Sequence, residues 1–167
     1  LTDKIQIVEG DIFKLDAISD QFDYVFAEAI LSMQSATGKA KILSGIRDRL
    51  KPSGKFISHE FLAENREAEI HQVLAREVKI NTTPLSEANW MAACAAAGLQ
   101  IEQHQTGKMA LLNLRSMIQD EGAIATGKIL WNIFTKPQIR QRVLQMRRVF
   151  QHYDRDLGYI VLVAKKN

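Results

Sequence analysis

Residues 24–61 carry the pattern that most restricts how this chain can fold. A short apolar run, Tyr24-Val25-Phe26-Ala27, is followed by a helical stretch from Lys39 to Leu50, the stop Lys51-Pro52-Ser53-Gly54, and a second extended run from Lys55 to Phe61. Within the middle stretch Ala40, Ile42, Leu43, Ile46 and Leu50 recur at helical spacing, so they share one stripe. The proline and glycine then end the helix. Two strands joined by a crossover of this length pair in parallel, and the right-handed βαβ unit is the simplest way to build that. The expected fold class is therefore α/β.

The flanks continue the alternation of elements. Residues 4–8, Lys-Ile-Gln-Ile-Val, alternate polar and apolar before Glu9-Gly10-Asp11, which predicts a strand running into a turn. Residues 66–78 read as a helix with Ile70, Val73, Leu74 and Val78 on one stripe. Ser86 is placed to cap a further helix, with Glu87 in its first turn and Gly98 at its stop. Leu99 to Gln105 and Gly158 to Ala164 read as two more strands. Between them, residues 108–157 are too many for a plain loop and hold Ile139, Val143, Met146, Val149 and Phe150 at helical spacing. A helical cap inserted over a site is expected there.

Composition limits the rest. At 167 residues, 46% of them hydrophobic, the chain suits one globular domain, 1–167, with a real core. A net charge of +3 is too small to argue for nucleic acid, and no such partner is expected. No apolar run approaches the roughly 18 residues that cross a bilayer, so no membrane partner is expected either. Cys94 is the lone cysteine, which rules out an internal disulfide and points to a cytoplasmic setting.

Gly10-Asp11, Phe22-Asp23 and Leu50-Lys51-Pro52-Ser53-Gly54 occur in the order and at the separations of three signatures of one family. On these residues the chain resembles the later part of a class I S-adenosylmethionine-dependent methyltransferase. The likeness continues through Ala27-Glu28-Ala29-Ile30-Leu31, Pro84-Leu85-Ser86 to Trp90, Ala97-Gly98-Leu99 and Gly158-Tyr159-Ile160, nearly the whole chain. The resemblance implies a partial Rossmann-like methyltransferase sheet with a helical insertion before the last strand. It also implies S-adenosylmethionine as cofactor and a small molecule as methyl acceptor.

By the same resemblance Asp11 contacts the adenine amino group and Ile12 packs on the ring. The chemistry is sound, since a carboxylate accepts from an exocyclic amine and an apolar side chain covers the base. Asp11 could instead simply close the turn with Gly10. Ala27, Glu28 and Ala29 fall at the carboxyl end of a strand, the edge where open α/β sheets hold ligands. Glu28 is a candidate facing the cofactor or the acceptor, against the reading of a solvated loop acid.

His59 and Glu60 point to opposite sides of the next strand, and His59 is a candidate general base near neutral pH. The competing reading is a hydrogen-bonded histidine under a helix. His71 and His104 lack metal-site spacing, so no metal is expected. Cys94, in an alanine-rich helix, reads as buried and inert. Trp90, Met91, Trp131 and Phe134 read as core or cap packing. The arginines from Lys136 to Arg155 read as a solvated helix face, with phosphate or an acidic partner as the alternative.

Two family features have no counterpart. No two glycines are separated by a single residue, so the glycine-rich cofactor loop is missing, as is the acid that holds the ribose. Loss of the strands that carry them would leave a sheet edge open. Three outcomes are expected: a missing N-terminal segment, strands supplied by a second copy in a homo-oligomer, or a first strand paired directly with the second. The functional expectation is methyl transfer that this chain alone completes only in part. The alternative is a non-catalytic binding or scaffold protein of methyltransferase ancestry, acting as an oligomer.

Overall fold

The computed structural model describes residues 5–79, 81–109 and 131–167, together with residues 122, 125, 127 and 128. Four strands, β1 (Phe22–Glu28), β2 (Leu50–Ala63), β3 (Leu99–Lys108) and β4 (Leu157–Lys166), form one sheet in the order β1-β2-β4-β3. β1 and β2 are parallel, whereas β4 runs antiparallel to both β2 and β3.

The crossover between β1 and β2 is α1 (Ala36–Arg49), the helix expected from the 42/43/46 stripe. Ser35 opens it, its hydroxyl accepting from Gly38 N at 3.2 Å, which satisfies one of the orphan amides of the first turn. Ile42, Leu43 and Ile46 are buried. At its end the strand register jumps, from Phe22 opposite Leu50 to Tyr24 opposite Lys55, and the proline and glycine lie in the gap. A Cβ at Gly54 would meet Phe22 O at 2.7 Å, so only glycine allows this close approach.

α2 (Glu67–Val73) follows β2 and runs into a π-helical turn, Leu74–Val78. Ile70 and Leu74 bury as the stripe requires, while the side chain of Val78 lies outside the described residues. α3 (Glu87–Ala96) begins at Ser86, whose hydroxyl accepts from Asn89 N at 3.3 Å, and the chain turns through Gly98 at φ 77°. α1 and α3 cover one face of the sheet around Phe56, Leu62, Trp90, Ile160 and Leu162. A second, smaller core joins Ile70 and Leu74 to Val149 and Tyr153 of α4 (Pro137–His152) and its C-terminal end. Of the insertion expected over 108–157, residues 110–121, 123, 124, 126, 129 and 130 lie outside the described residues.

One expected strand is not formed. Residues 5–10 have no ladder, Ile5, Ile7 and Val8 are exposed, and Lys4 lies outside the described residues. The alternation is real, but a strand needs a neighbour to receive its amides and carbonyls. Among the described residues β1 pairs only with β2, so the first segment does not close the gap by pairing with it. The open face of β1 shows Tyr24 and Phe26, 58% and 71% exposed, with their rings stacked 6.3 Å apart.

Candidate functional site

The parallel ladder ends where β1 ends, and that point brings together two of the candidate residues. Glu28 and His59 are register partners on β1 and β2. Glu28 Oε1 lies 3.6 Å from His59 Nδ1, and the histidine ring meets Tyr159 edge-on at 5.2 Å between centroids. Just beyond, Ala29 takes a left-handed turn at φ 52°, and its N–H donates to His59 O at 2.8 Å. That bond fixes the exit of β1 against the middle of β2. The His59 side chain is half exposed and the Glu28 side chain largely so, which makes the pair an accessible one and not a histidine under a helix. A carboxylate beside one ring nitrogen steadies an imidazolium while leaving the other nitrogen free to accept a proton.

Glu60 turns the other way, as strand alternation demands, and it is buried. Its two oxygens accept from Leu31 N at 3.1 Å, Ser32 N at 2.8 Å, Ser32 Oγ at 2.6 Å and Ser58 Oγ at 3.1 Å. The segment that follows the Ala29 turn is thus stitched to β2 by a carboxylate. Lys39 pins the same segment from the α1 side: its Nζ donates to Gln34 O at 2.7 Å, Thr83 O at 2.8 Å and Thr83 Oγ1 at 2.5 Å. Burial lowers the Lys39 pKa to about 8, against the opposing pull of Glu60 and Glu67.

Sequence reasoning missed both anchors, although each had a signal. Glu60 occupies the core-facing phase of a strand that otherwise buries Phe56, Ser58 and Leu62. Lys39 stands one turn before Ile42 and Leu43 on the buried stripe of α1.

Asp11 performs the turn-closing role. Its Oδ1 accepts from Phe13 N at 2.9 Å and opens the 3₁₀ segment Ile12–Ala17, which packs on α1 where Leu15 crosses Gly45. The rest of its carboxylate is open, with Oδ2 4.0 Å from Lys14 Nζ. Gly10, Asp11 and Ile12 line a cleft of about 370 Å³ that Ala27, Glu28 and Ala29 do not line. The structure therefore joins Glu28, Ala29 and His59, and leaves Asp11 and Ile12 in a separate cleft. For an S-adenosylmethionine these residues fit the adenine end alone, since the described residues offer no backbone turn that would admit the rest at close range.

The remaining candidates are structural. Cys94 is buried in α3, and burial pushes its thiol up to about 12. His71 Nε2 lies 2.5 Å from Pro84 O, and His104 Nε2 lies 3.1 Å from Glu87. Among the described residues no cluster of His, Cys, Asp and Glu could hold a metal ion. Trp90 is fully buried and donates Nε1 to Phe61 O at 3.0 Å, and Met91 is half-buried, as expected of packing residues. Trp131 and Phe134 are not: they stand 71% and 70% exposed, because the packing of this region onto α2 runs through Met146, Val149, Phe150 and Tyr153.

This sheet, with one antiparallel strand beside the parallel pair, and its helices superpose on known structures. The fold is that of the class I S-adenosylmethionine-dependent methyltransferases. No protein-family model matches the sequence. An uncharacterized protein of Haemophilus influenzae is 28% identical over 167 residues, which cover 99% of this chain and 66% of that protein. Among solved structures, the [4+2]-cyclase SpnF superposes with a TM-score of 0.65 at 17% identity, over 94% of this chain and 54% of the cyclase. An O-methyltransferase from the trans-AT polyketide synthase multienzyme of Brevibacillus brevis, in complex with S-adenosyl-L-homocysteine, gives a TM-score of 0.59 at 15% identity, over 99% and 50%. The chain thus spans just under two thirds of the Haemophilus relative and about half of the two solved proteins. No helix among the described residues is long and apolar enough to cross a membrane.

Proposed function

We propose that this chain carries the acceptor side of an S-adenosylmethionine-dependent methyl transfer to a small molecule, with the cofactor site completed by contacts it does not itself supply. The observation that carries this reading is the Glu28–His59 pair where the parallel ladder of β1 and β2 ends, 3.6 Å apart and open to a substrate.

When bound, the cofactor supplies an electrophilic methyl group on a sulfonium. His59 takes the proton that the acceptor's oxygen or nitrogen gives up, and Glu28 stabilises the imidazolium so formed. The turn at Ala29, held by Glu60 and Lys39, sets the position of that edge. Asp11 and Ile12 hold the adenine end. Since the reaction is an in-line displacement, alignment and exclusion of water supply much of the rate. The reading further places the chain in the cytoplasm, where Cys94 stays a free thiol, and in a homo-oligomer or beside a further segment that covers β1. The similarity to a cyclase is a reminder that this fold serves more than one reaction.

Calorimetric titration with S-adenosylhomocysteine tests the proposal. The expected result is weak binding, with a dissociation constant near a millimolar, lost in Asp11→Ala. Absence of heat at millimolar ligand rejects the cofactor, and nanomolar binding rejects the claim that the site is incomplete.

A further inference from the structure

From Gly122 to Tyr153 the sequence has six Lys and Arg and not one Asp or Glu. Elsewhere sixteen Lys and Arg face nineteen Asp and Glu, so this segment alone makes the chain basic. α4 divides that charge unequally around its axis. Met146, Val149 and Phe150 face the small core, and Arg140 and Arg147 are exposed outside it. A third stripe, Gln138, Gln141, Gln145, Arg148 and His152, follows the helical repeat beside the core-facing one, with Gln145 half-buried and the other four exposed.

That stripe walls a groove between α4 and the π turn. One end measures about 630 Å³, with Leu144, Val149 and Tyr153 as its apolar floor. The adjoining end measures about 440 Å³ and adds Arg142 from α4 and Lys79, the left-handed residue that closes the π turn at φ 55°. Among the described residues the groove has one carboxylate, Glu77, and it is already engaged: Oε1 accepts from Arg76 Nε at 2.9 Å and Oε2 from Gln145 Nε2 at 3.2 Å. Arg76, then Gln145, hold its pKa below the ordinary carboxylate value. Lys79, Arg142 and Arg148 have no ion-pair partner among the described residues.

A cavity in the size range of ligand pockets, with cations and amide donors above an apolar floor, has the chemistry of a site for an anion with a small body. We propose that this groove binds a small organic oxyanion, a carboxylate or phosphate carried on a short apolar group. Arg142 and Lys79 at one end bind the head, and Arg148, Leu144 and Tyr153 at the other cover the body. Glu28 and His59 do not line the groove, so this binding is independent of the methyl-transfer reading.

The test is an ¹⁵N-edited NMR titration of the chain, without cofactor, using phenyl phosphate, benzoate and the neutral analogue benzyl alcohol. Phenyl phosphate or benzoate is expected to shift resonances of residues 77–79 and 141–153, and benzyl alcohol is not. Arg142→Gln with Arg148→Gln should weaken binding about tenfold, whereas Arg140→Gln with Arg147→Gln, outside the groove, should leave it unchanged. The tighter of the two anions identifies the head group. Shifts spread over all exposed Lys and Arg, no shifts in the groove, or equal weakening by the two double variants would overturn the site. A chain that binds phenyl phosphate yet fails to bind S-adenosylhomocysteine keeps the groove and loses the methyl transfer.

Discussion

Replacing Glu60 by glutamine keeps its size and removes one acceptor oxygen, which makes it a direct measure of what holds the turn after β1. Each carboxylate oxygen serves two donors: Leu31 N and Ser58 Oγ on one, Ser32 N and Ser32 Oγ on the other. Whichever oxygen becomes the amide group, one backbone N–H and one hydroxyl then face a donor. The hydroxyl can rotate, but the N–H cannot. A buried donor left without its partner costs about 1–3 kcal/mol, and the hydrogen bond surrendered by the hydroxyl adds about 1 kcal/mol. Not having to bury a charge offsets part of this. The expected loss is about 2–3 kcal/mol, a large share of the stability of a typical domain.

Urea denaturation should show a lower midpoint at unchanged slope, because the surface exposed on unfolding is the same. Hydrogen exchange should show faster exchange at Leu31 or Ser32 first, since one of these two amides loses its acceptor directly. A loss below about 0.5 kcal/mol, or full protection at both amides, would refute the claim that Glu60 holds this segment.

Other substitutions probe other joints. For Lys39, a folded pKa of about 8 against 10.5 means that between those values the unfolded chain binds more protons, so stability should rise with pH across that window. Urea melts at pH 7.5 and 10.5 check this, and Lys39→Met should abolish the slope; a flat wild-type profile would show instead that the three oxygen acceptors keep the proton on. Gly54→Ala puts a methyl 2.7 Å from Phe22 O and should cost about 1–3 kcal/mol, read by thermal melting, with an unchanged Tm as the contrary result. Phe26→Lys, on the exposed face of β1, should lower the mass seen by light scattering if that face is covered by a second copy, and a monomeric wild-type chain would dismiss the idea.

Much of the fold was legible because its signals are local. The βαβ unit, the stripes on α1 and α2, the Ser86 cap and the Gly98 stop each depend on residues within a few positions of one another. The candidate pair was legible as two separate residues, through strand ends and alternation. Its pairing was not, because Glu28 and His59 meet only through the register of β1 on β2. Residues 5–8 show the limit of pattern reading from the other side. Their alternation is that of a strand, yet no neighbour receives their backbone groups among the described residues, so no strand forms.

What the sequence by itself determined is the alternation of strand and helix from Phe22 onward, the helix stops at Pro52-Ser53-Gly54 and Gly98 and the concentration of positive charge between residues 122 and 153. What only the tertiary structure decided is which charged groups are anchors and which are available. Glu60 and Lys39 look no different in sequence from the solvated Glu28 and Lys14, but partners 28 and 44 residues away take them out of water. Burial without a partner is too unfavourable to persist. A charge inside therefore marks contacts distant in sequence, and those contacts exist only once the chain has folded.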